Sequence, residues 1–404
     1  MSLSNQHKLH LSQLFQTALD AVNGCAAVER KLPDLKFEGK VAVVAVGKAA
    51  AAMMSGAEKI LSEQIHSALI ITKTAHSDPT LNWPCIEAGH PVPNKQSLDA
   101  GGQLLEFLRS VPTEVELMAL VSGGASSLVE VLPAHISLQE LQKINNWLLG
   151  SGLSIHEINK VRQSVSLIKG GKALSYLQHK KMTQLLISDV KNDSPEIIGS
   201  GLFVSKSEVD YLHNAAELPA WLEKYIQPGI ARVTFDVESH IVASNEIACQ
   251  AIIKQAKASN YDVSYHGQTL YGDVYKVAES LRETLLDAEP GIHIWGGETT
   301  LSLPENPGRG GRNQSLALAL ACLLENQRGI SILVGATDGS DGPTDDAGAI
   351  IDGFTLQRAS HLRARDYLEA ADAGTFLAEA GDLISTGPTG TNVMDIVIAI
   401  KEPN

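Results

Sequence analysis

One pattern recurs along this chain and restricts its fold more than any other feature. A short apolar run rich in Val, Ile and Leu is followed by a glycine-rich loop and then by a stretch with helical character. Runs that are apolar at every position are typical of parallel strands covered by helices on both faces. Their alternation with helices predicts an α/β fold with a doubly wound sheet and binding loops at the carboxyl ends of the strands. The predicted strands are 41–46, 68–72, 116–121, 183–187, 291–295, 330–335 and 395–400, and the predicted helices are 48–60, 99–108, 138–149, 244–257 and 314–324.

The length of the chain, 404 residues, suggests two domains at roughly 100–200 residues per domain. The composition changes near 223–234, a stretch that includes Pro228 and Gly229, and this change predicts a boundary close to residue 235. The predicted domains are therefore 1–235 and 236–404. Because glycine-rich loops occur on both sides of the boundary, we expect a binding site in a cleft between the domains.

The charge balance excludes one class of partner. The chain has 32 Lys and Arg against 46 Asp and Glu, and its net charge of −14 would repel the phosphates of a nucleic acid. No apolar run reaches the ~18–20 residues that a membrane-spanning helix needs, and residues 1–15 do not resemble a signal peptide. We therefore expect a cytoplasmic protein with no membrane partner. The scattered cysteines are expected to be reduced core residues: Cys25, Cys85, Cys249 and Cys322.

Two loops of the N-terminal half combine glycine with polar side chains. In V-A-V-V-A-V-G-K-A-A (41–50), Gly47 ends a strand and Lys48 begins a helix, where a cation is unfavourable unless an anion binds in front of it. In V-S-G-G-A-S-S-L (121–128), glycines allow close approach of a ligand and serines offer hydroxyls, although the Walker spacing is absent. A solvated lysine and a plain turn are the alternatives. The candidate binding residues of this second loop are Ser122, Gly123, Gly124 and Ser126.

Three further segments of this half carry weaker signals. Asp189 follows the strand 183–187, where it is suited to hold Mg²⁺ or to take a substrate proton, or simply to cap a helix. The segment 159–172 places Arg162 and Lys169 on one helical face, and a solvated surface is the ordinary reading of that charge. His90, in H-P-V-P-N (90–94), is expected to be a structural residue of a turn, with a ligand contact as the alternative.

The strongest signals lie in the C-terminal half. Arg309 and Arg312 flank two glycines before a helix, where guanidinium groups can clamp a carboxylate or phosphate; Gly311 and Asn313 belong to the same candidate site. The aspartates of A-T-D-G-S-D-G-P-T-D-D-A-G (336–348) crowd one another, which a divalent cation would relieve and turn chemistry would also explain. The candidate metal ligands are Asp338, Asp341 and Asp345, together with Asp189. The loop T-G-P-T-G-T-N offers hydroxyls and amides, or a plain turn, from Thr386, Gly387, Thr389, Gly390, Thr391 and Asn392.

Taken together, anion-binding loops, a few cations and an aspartate cluster predict phosphoryl transfer, in which clamps and a metal neutralise the transferring group. Acyl transfer by a serine is less well supported, because no G-x-S-x-G motif is present.

At these motifs the sequence resembles the 2-glycerate kinase family, whose C-terminal half is known as the MOFRL domain. Ten segments match in order over nearly the whole chain: V-G-K-A-A (46–50), G-H-P-V-P (89–93), S-G-G-A-S-S (122–127), K-V-R-Q-S-V-S-L-I-K-G-G-K (160–172), L-I-S-D-V (186–190), A-S-N (243–245), G-G-E-T-T (296–300), G-G-R-N-Q (310–314), A-T-D-G-S-D-G-P-T-D (336–345) and T-G-P-T-G-T-N-V (386–393). The resemblance implies a Rossmann-like doubly wound N-terminal domain and a second α/β domain with a mixed sheet. It also implies ATP-dependent phosphorylation of D-glycerate at the 2-hydroxyl with Mg²⁺, and it associates Lys48 and Arg312 most closely with catalysis.

The chain departs from the family pattern at several positions. Ala125 and Ser127 replace Gly and Ala, Asn192 and Ser194 replace Gly and Asp, G-S-G-L-F (199–203) replaces A-S-G-P-T, and Ser315 replaces Glu. The missing carboxylates keep open a non-catalytic metabolite-binding relative. A hydroxypyruvate reductase is the other alternative, although V-G-K-A-A-A-A lacks the glycines of a dinucleotide site. The sequence leaves open the nucleotide preference, a substrate analogue such as tartronate, the assignment of ATP and glycerate to particular loops, and assembly into a homo-oligomer.

Overall fold

A computed structural model of the chain describes residues 3–178, 181–205, 218–226 and 235–403. It divides into two compact units, one formed by 24–242 and the other by the residues up to Asn23 together with 243–404. This division differs from the expected domains 1–235 and 236–404 at both ends of the first domain. The first strand after the expected boundary, 236–243, belongs to the sheet of the first unit, and the N-terminal helix belongs to the second unit.

The helices of the described residues begin and end as follows: α1 Leu3–Val22, α2 Gly24–Lys31, α3 Ala50–Leu61, α4 Lys95–Ser110, α5 Ala125–Leu128, α6 Leu138–Gly150, α7 Ile155–Ser164, α8 Ala220–Glu223, α9 Asn245–Ala258, α10 Val274–Asp287, α11 Arg312–Leu323, α12 Thr355–Arg358, α13 Ala364–Glu369 and α14 Ala373–Ala380. Each predicted helix overlaps one of these, namely α3, α4, α6, α9 and α11.

The strands are β1 Val41–Val46, β2 Ile65–Lys73, β3 Cys85–Ala88, β4 Glu116–Val121, β5 Lys181–Ile187, β6 Asp236–Ala243, β7 Val263–Asp273, β8 Gly291–Thr300, β9 Ile330–Ala336, β10 Gly348–Asp352, β11 Leu383–Ile384 and β12 Asp395–Lys401. Every predicted strand is confirmed. The shorter or more polar strands β3, β6, β7, β10 and β11 were not predicted.

The sheet of the first unit has the strand order β3-β2-β1-β4-β5-β6. Strands β1 to β5 are parallel, and the chain begins at the centre with β1, moves outward to β3, and then returns to β4 beside β1. The predicted doubly wound arrangement is therefore confirmed. The loops after β1 and β4 meet at the point where the strand order reverses, which is where open α/β sheets bind their ligands.

The sheet of the second unit has the order β11-β10-β9-β12-β8-β7 and is mixed, as the resemblance implied. Strand β12 is antiparallel to both β8 and β9, whereas β7 and β8 are parallel. Strand β9 is also antiparallel to β10. The expectation that 330–335 and 395–400 are parallel strands is therefore wrong. Residues 395–400 are buried without exception, and this burial on both faces produces an uninterrupted apolar run whatever the direction of the strand.

Helix α1 belongs to the second unit because its apolar face packs there. Leu11, Leu14 and Phe15 are buried, and the Phe15 ring lies so close to Gly335 of β9 that a Cβ at Gly335 would be 2.8 Å from it. At the start of the helix, Lys8 forms an ion pair with Asp382. The N-terminal helix therefore completes the core of a sheet whose strands all lie within residues 263–401.

The cysteines are less buried than the sequence suggested. Of the cysteines, Cys249 is buried, Cys25 and Cys322 are half-buried and Cys85 is exposed, so the expectation of four core thiols is wrong for three of them. Among the described helices, none is both long enough and apolar enough to cross a membrane.

Candidate active site

In the first unit, the loops that follow β1 and β4 are hydrogen-bonded to each other. The amide of Lys48 donates to the carbonyl of Gly123 at 2.9 Å. The amide of Ala49 donates to the Ser122 hydroxyl at 3.0 Å. The structure therefore brings together Gly47, Lys48 and the segment 122–124, which the sequence had singled out separately.

Gly47 is required by this close approach. Its φ is +135°, and an added Cβ would lie 2.1 Å from the Ser122 Oγ and 2.5 Å from the Ser122 carbonyl oxygen. The first strand-to-helix turn thus uses its glycine to pack against the neighbouring loop.

We expect Gly47→Ala to lower the free energy of unfolding by about 1–3 kcal/mol, because the methyl group meets backbone and the residue has positive φ. Urea unfolding measures the change, provided that the m-value is the same in both proteins. The matched control is Gly102→Ala in α4, where an added Cβ meets nothing within 4 Å. That variant should be more stable by about 0.5–1 kcal/mol, as expected for an exposed helical glycine. Equal effects of the two substitutions would contradict the packing role of Gly47.

The side chains of Lys48 and His90 both lie against Gly124. A Cβ at Gly124 would be 3.2 Å from the Lys48 Cγ and 2.9 Å from the His90 Cδ2, and the φ of Gly124 is +84°. Helix α3 begins at Ala50, so Lys48 precedes the helix by two residues instead of starting it. His90 was expected to shape a turn, with a ligand contact as the alternative. Its contact with the glycine loop adds it to the candidate site, and its proximity to Lys48 had no signal in the sequence.

The remainder of the second loop forms the short helix α5 and joins a chain of hydroxyl groups. The Ser126 Oγ lies 2.8 Å from the Ser200 Oγ, which donates to the Asn159 Oδ1 at 2.9 Å. Ala125, the departure from the family pattern, is fully buried, and a Cβ at Gly199 would be 3.1 Å from its methyl group. The extra methyl therefore packs into the core of the unit.

Asp189 lies two residues after β5, the strand next to β4, and its side chain is half-buried. The next loop contains Asn192 with φ +63°. Asn is among the few non-glycine residues that adopt this left-handed conformation readily, which explains how it replaces the usual glycine. The departure at Asn192 therefore preserves the backbone of the loop.

In the second unit, Arg312 is the first residue of α11 and is paired with two carboxylates. Its Nε and Nη2 donate to Asp395 at 2.6 and 3.1 Å, and its Nη1 lies 2.7 Å from a Glu298 oxygen. Burial alone would lower the pKa of Arg312, but Asp395 and Glu298 raise it above its ordinary value. These carboxylates explain how a cation is tolerated at a helix N-terminus. Sequence reasoning missed both, although Glu298 stands in the matched segment G-G-E-T-T.

The aspartates of 336–348 have separate structural roles. Asp341 is buried and accepts hydrogen bonds from the amides of Asn313 and Gln314 at 3.1 and 2.8 Å, so it caps α11. Asp338 accepts from the Ser340 amide within a turn, and Asp345 is exposed. Within the described ranges, no group of three His, Cys, Asp or Glu side chains is suited to hold a metal ion. The structure therefore does not gather Asp338, Asp341 and Asp345 into the metal cluster that the sequence suggested.

The carboxyl group of Asp341 predicts a pH dependence of stability. Burial raises its pKa to about 6, against the opposing hydrogen bonds from Gln314 and Asn313. Between about pH 4 and pH 6 the folded chain retains a proton that the unfolded chain has released, so this group makes the free energy of unfolding fall as pH rises, by roughly 3 kcal/mol in total. Urea unfolding across this range should show a steeper decline for the wild type than for Asp341→Asn. Parallel curves would show that Asp341 does not titrate in this window.

Arg309 and the threonine loop complete the second unit's candidate residues. The Arg309 Nη2 is 2.6 Å from Asp346, which also accepts from the Ser385 hydroxyl at 2.6 Å. Asp346 was not selected from the sequence. The Thr389 hydroxyl donates to the Thr337 carbonyl at 2.6 Å, so the loop 386–392 folds onto the start of the aspartate loop. Among the described residues, buried side-chain atoms without a hydrogen-bond partner include the Asn313 Oδ1, the Ser315 Oγ and the Thr391 Oγ1.

Comparisons with known proteins extend over both units. A family model described as a domain of unknown function, DUF4147, matches residues 10–225, and the MOFRL family model matches residues 291–395. D-glycerate 2-kinase of Thermotoga maritima is 33% identical over 96% of this chain and 97% of its own length. A protein of Agrobacterium vitis named putative hydroxypyruvate reductase is 34% identical over 89% of this chain and 98% of its own. The crystal structure of a glycerate kinase from Thermotoga maritima superposes with a TM-score of 0.87 at 31% identity, covering 98% of this chain and 100% of that one. The chain therefore belongs to the glycerate 2-kinase family, with the DUF4147 and MOFRL domains in that order.

Proposed function

We propose that this protein is an enzyme that transfers the γ-phosphoryl group of ATP to the 2-hydroxyl of D-glycerate, giving 2-phosphoglycerate and ADP. The observation that carries the proposal is the pair of hydrogen-bonded loops at the reversal of strand order, with Lys48 lying against the bare backbone of Gly124. A cation beside a glycine loop at this position is suited to bind a phosphate group. The similarity to D-glycerate 2-kinase indicates that D-glycerate is the acceptor.

The cations of the chain would neutralise the charge that develops during transfer. Lys48 would bind the transferring phosphoryl group, whose negative charge is spread over its equatorial oxygens. Arg312 is held rigidly by Asp395 and Glu298, so its orientation is already fixed before a ligand arrives. Preorganised charges of this kind lower a barrier most effectively, because little reorganisation is needed when the reaction occurs. Arg312 would bind the substrate carboxylate or a phosphate oxygen.

Asp189 is the carboxylate that we assign to the acceptor or the metal. It lies two residues after β5, the parallel strand next to β4, whereas Asp341 caps α11. Mg²⁺ in kinases is usually held by one or two carboxylates together with phosphates and water. This donor set fits an ion that arrives with the nucleotide and neutralises its phosphates. Asp189 would either ligate that ion or accept the proton of the 2-hydroxyl.

The experiment is ADP release by the purified protein with ATP, Mg²⁺ and D-glycerate, with the phosphate position of the product read by NMR. Formation of 2-phosphoglycerate is the expected result. Formation of 3-phosphoglycerate would retain a kinase and overturn the position of transfer. Tight binding of ATP or D-glycerate without ADP release would favour a non-catalytic relative, and titration with tartronate would test a close analogue as substrate.

A reductase is the second candidate, because two relatives carry the name putative hydroxypyruvate reductase. The turn after β1 argues against it. Its glycine, Gly47, packs against Ser122, and the three residues 49–51 that follow are buried alanines. Oxidation of NADH on addition of hydroxypyruvate would support the reductase, and its absence alongside ADP release would exclude it.

The proposal includes a cellular setting. The reaction would take place in the cytoplasm with a small molecule as partner, and the net charge of −14 makes nucleic acid an unfavourable one. Assembly into a homo-oligomer is compatible with this function and is tested by light scattering of the purified protein.

A further inference from the structure

Helix α7 presents two buried donors on one face that bond to nothing in the described chain. Asn159 is 5% exposed, and its Nδ2 has no hydrogen-bond partner among the described residues. The same holds for the Nε of Arg162. Residues three apart on a helix are neighbours on its surface, so these two donors lie side by side. Such orphaned donors are rare in proteins and call for a specific explanation, because burial deprives them of water.

The charges around Arg162 favour an anionic partner. The charge of Glu130 acts on Arg162. Glu130 already forms an ion pair with Lys169, however, and it accepts from the Ser166 hydroxyl at 2.5 Å and the Val131 amide at 3.0 Å. Burial lowers the pKa of Arg162, and Glu130 offsets this only in part. A positive charge with an unused donor is therefore left beside the Asn159 amide.

Lys172 is a second cation of this region, and it is hydrogen-bonded to backbone oxygens. Lys172 donates to the carbonyls of Gln163 and Ser166 at 2.6 and 2.7 Å, at the C-terminal end of α7. It therefore satisfies backbone oxygens and increases the positive charge near Arg162 without serving as its partner. Val161 of α7 and Val165, which directly follows the helix, pack into an apolar cluster with residues of α6 and α8. These apolar contacts anchor the helix that carries the two donors.

These donors are connected to the glycine loop after β4. Ser200 donates to the Asn159 Oδ1, so the Ser126 hydroxyl is left to donate to Ser200. This chain of hydrogen bonds fixes the Asn159 side chain with its oxygen towards Ser200 and its Nδ2 turned away. The orientation of the amide is therefore set by the same loop, 122–127, that contacts Lys48.

We propose that Asn159 and Arg162 bind the anionic oxygens of a substrate, a carboxylate or a phosphate, next to the glycine loop 122–127. This inference rests on the proposed function, since it names a further part of the site that would bind the substrates of a kinase. The carboxylate would come from D-glycerate and the phosphate from ATP. Neither residue takes part in bond making; both position the anion.

The test is the steady-state kinetics of Arg162→Gln. The matched control is Arg109→Gln, which makes the same chemical change at a residue of α4 whose guanidinium group lies over the Tyr176 ring. Loss of a charged hydrogen bond should raise one KM by about 10–100-fold with kcat changed only a few-fold, as expected for lost substrate binding. A raised KM for D-glycerate identifies the carboxylate, and a raised KM for ATP identifies the phosphate. Arg162→Lys should recover part of the affinity, and both KM values should be normal in the control.

Stability separates this role from a structural one. Because Arg162 has an orphaned donor in the free protein, Arg162→Gln should leave the Tm unchanged or raise it. Asn159→Asp, which retains the acceptor for Ser200 and replaces the donor by a negative charge, should raise the same KM. A lowered Tm together with unchanged KM values in Arg162→Gln would overturn the inference, because it describes a purely structural arginine.

Direct binding distinguishes failure of this inference from failure of the proposed function. Calorimetric titration of D-glycerate, ADP and inorganic phosphate into the wild type and Arg162→Gln requires no turnover. If the wild type releases no ADP but binds one of these anions, and the variant binds it at least tenfold more weakly, the anion site stands without the kinase. Equal binding by both proteins, or no binding of any of the three to the wild type, would overturn the site.

Discussion

Replacing Lys48 by Ala is expected to lower kcat by about 10²–10³-fold, the usual effect of removing one preorganised charge at a transferring group. The side chain lies against Gly124 at the end of two hydrogen-bonded loops, so its ammonium group is carried by rigid elements. The fold should tolerate the change, because the backbone contacts of this turn do not involve the Lys48 side chain. ADP release at saturating D-glycerate measures the effect, and the Tm should remain within a few degrees of the wild type.

The matched control for this experiment is Lys59→Ala. Lys59 is an exposed residue of α3 that pairs with Glu29 on the surface of the same unit. Its removal changes the net charge by the same amount, and exposed ion pairs contribute only about 0–1 kcal/mol to stability. Its turnover should stay close to normal. Near-normal turnover in Lys48→Ala as well would remove Lys48 from the mechanism, and an equal loss in both variants would indicate a general charge effect.

The parallel sheet of the first unit was predictable because each of its central strands is buried on both faces. Strand β1 is apolar throughout and β4 is apolar after Glu116, whereas β5 is apolar only in its second half, Leu185–Ile187. The loops that follow these strands begin with glycine or serine. Strand β7 was not predictable in the same way. Only Leu270 of its residues is buried, and the segment VSYHGQTLYGD is mostly polar and contains two glycines, so no apolar run marks it as a strand. The position of α1 was also beyond sequence reasoning, since nothing in a local pattern reveals that a helix packs against strands more than 300 residues away.

The residues of the candidate site also divide into those that a local sequence pattern reveals and those that it does not. An argument from the helix dipole selected Lys48 and Arg312, because a cation at a helix N-terminus needs an explanation within the sequence itself. The partners of Arg312 are distant in sequence and were missed. In the aspartate loop the sequence did not reveal that Asp341 is buried as a cap of α11, because the amides that it accepts from, those of Asn313 and Gln314, lie 28 and 27 residues away in the sequence. Arg162 was read as a solvated charge, because burial of a polar side chain is decided by tertiary packing.

Arg312→Ala is expected to lower both turnover and stability. Removal of the guanidinium leaves the Asp395 carboxylate, whose side chain is 3% exposed, buried without a counter-charge. Breaking a buried pair in this way typically costs about 3–5 kcal/mol of unfolding free energy. Turnover should fall by about 10²–10³-fold from loss of charge stabilisation. Urea unfolding and ADP release on the same preparation measure the two effects. Arg365→Ala, which breaks the exposed pair with Glu369, is the stability control and should change the free energy of unfolding by less than about 1 kcal/mol.

A double variant separates the two roles of Arg312. In Arg312→Leu with Asp395→Asn, no uncompensated charge remains buried, so most of the lost stability should return. Turnover should remain as low as in Arg312→Ala, because the double variant still lacks the cation that the reaction needs. Recovery of turnover together with stability would mean that Arg312 acts only by neutralising Asp395. Normal turnover in Arg312→Ala itself would remove this residue from the reaction and leave Lys48 as the cation to which the transfer chemistry must be assigned.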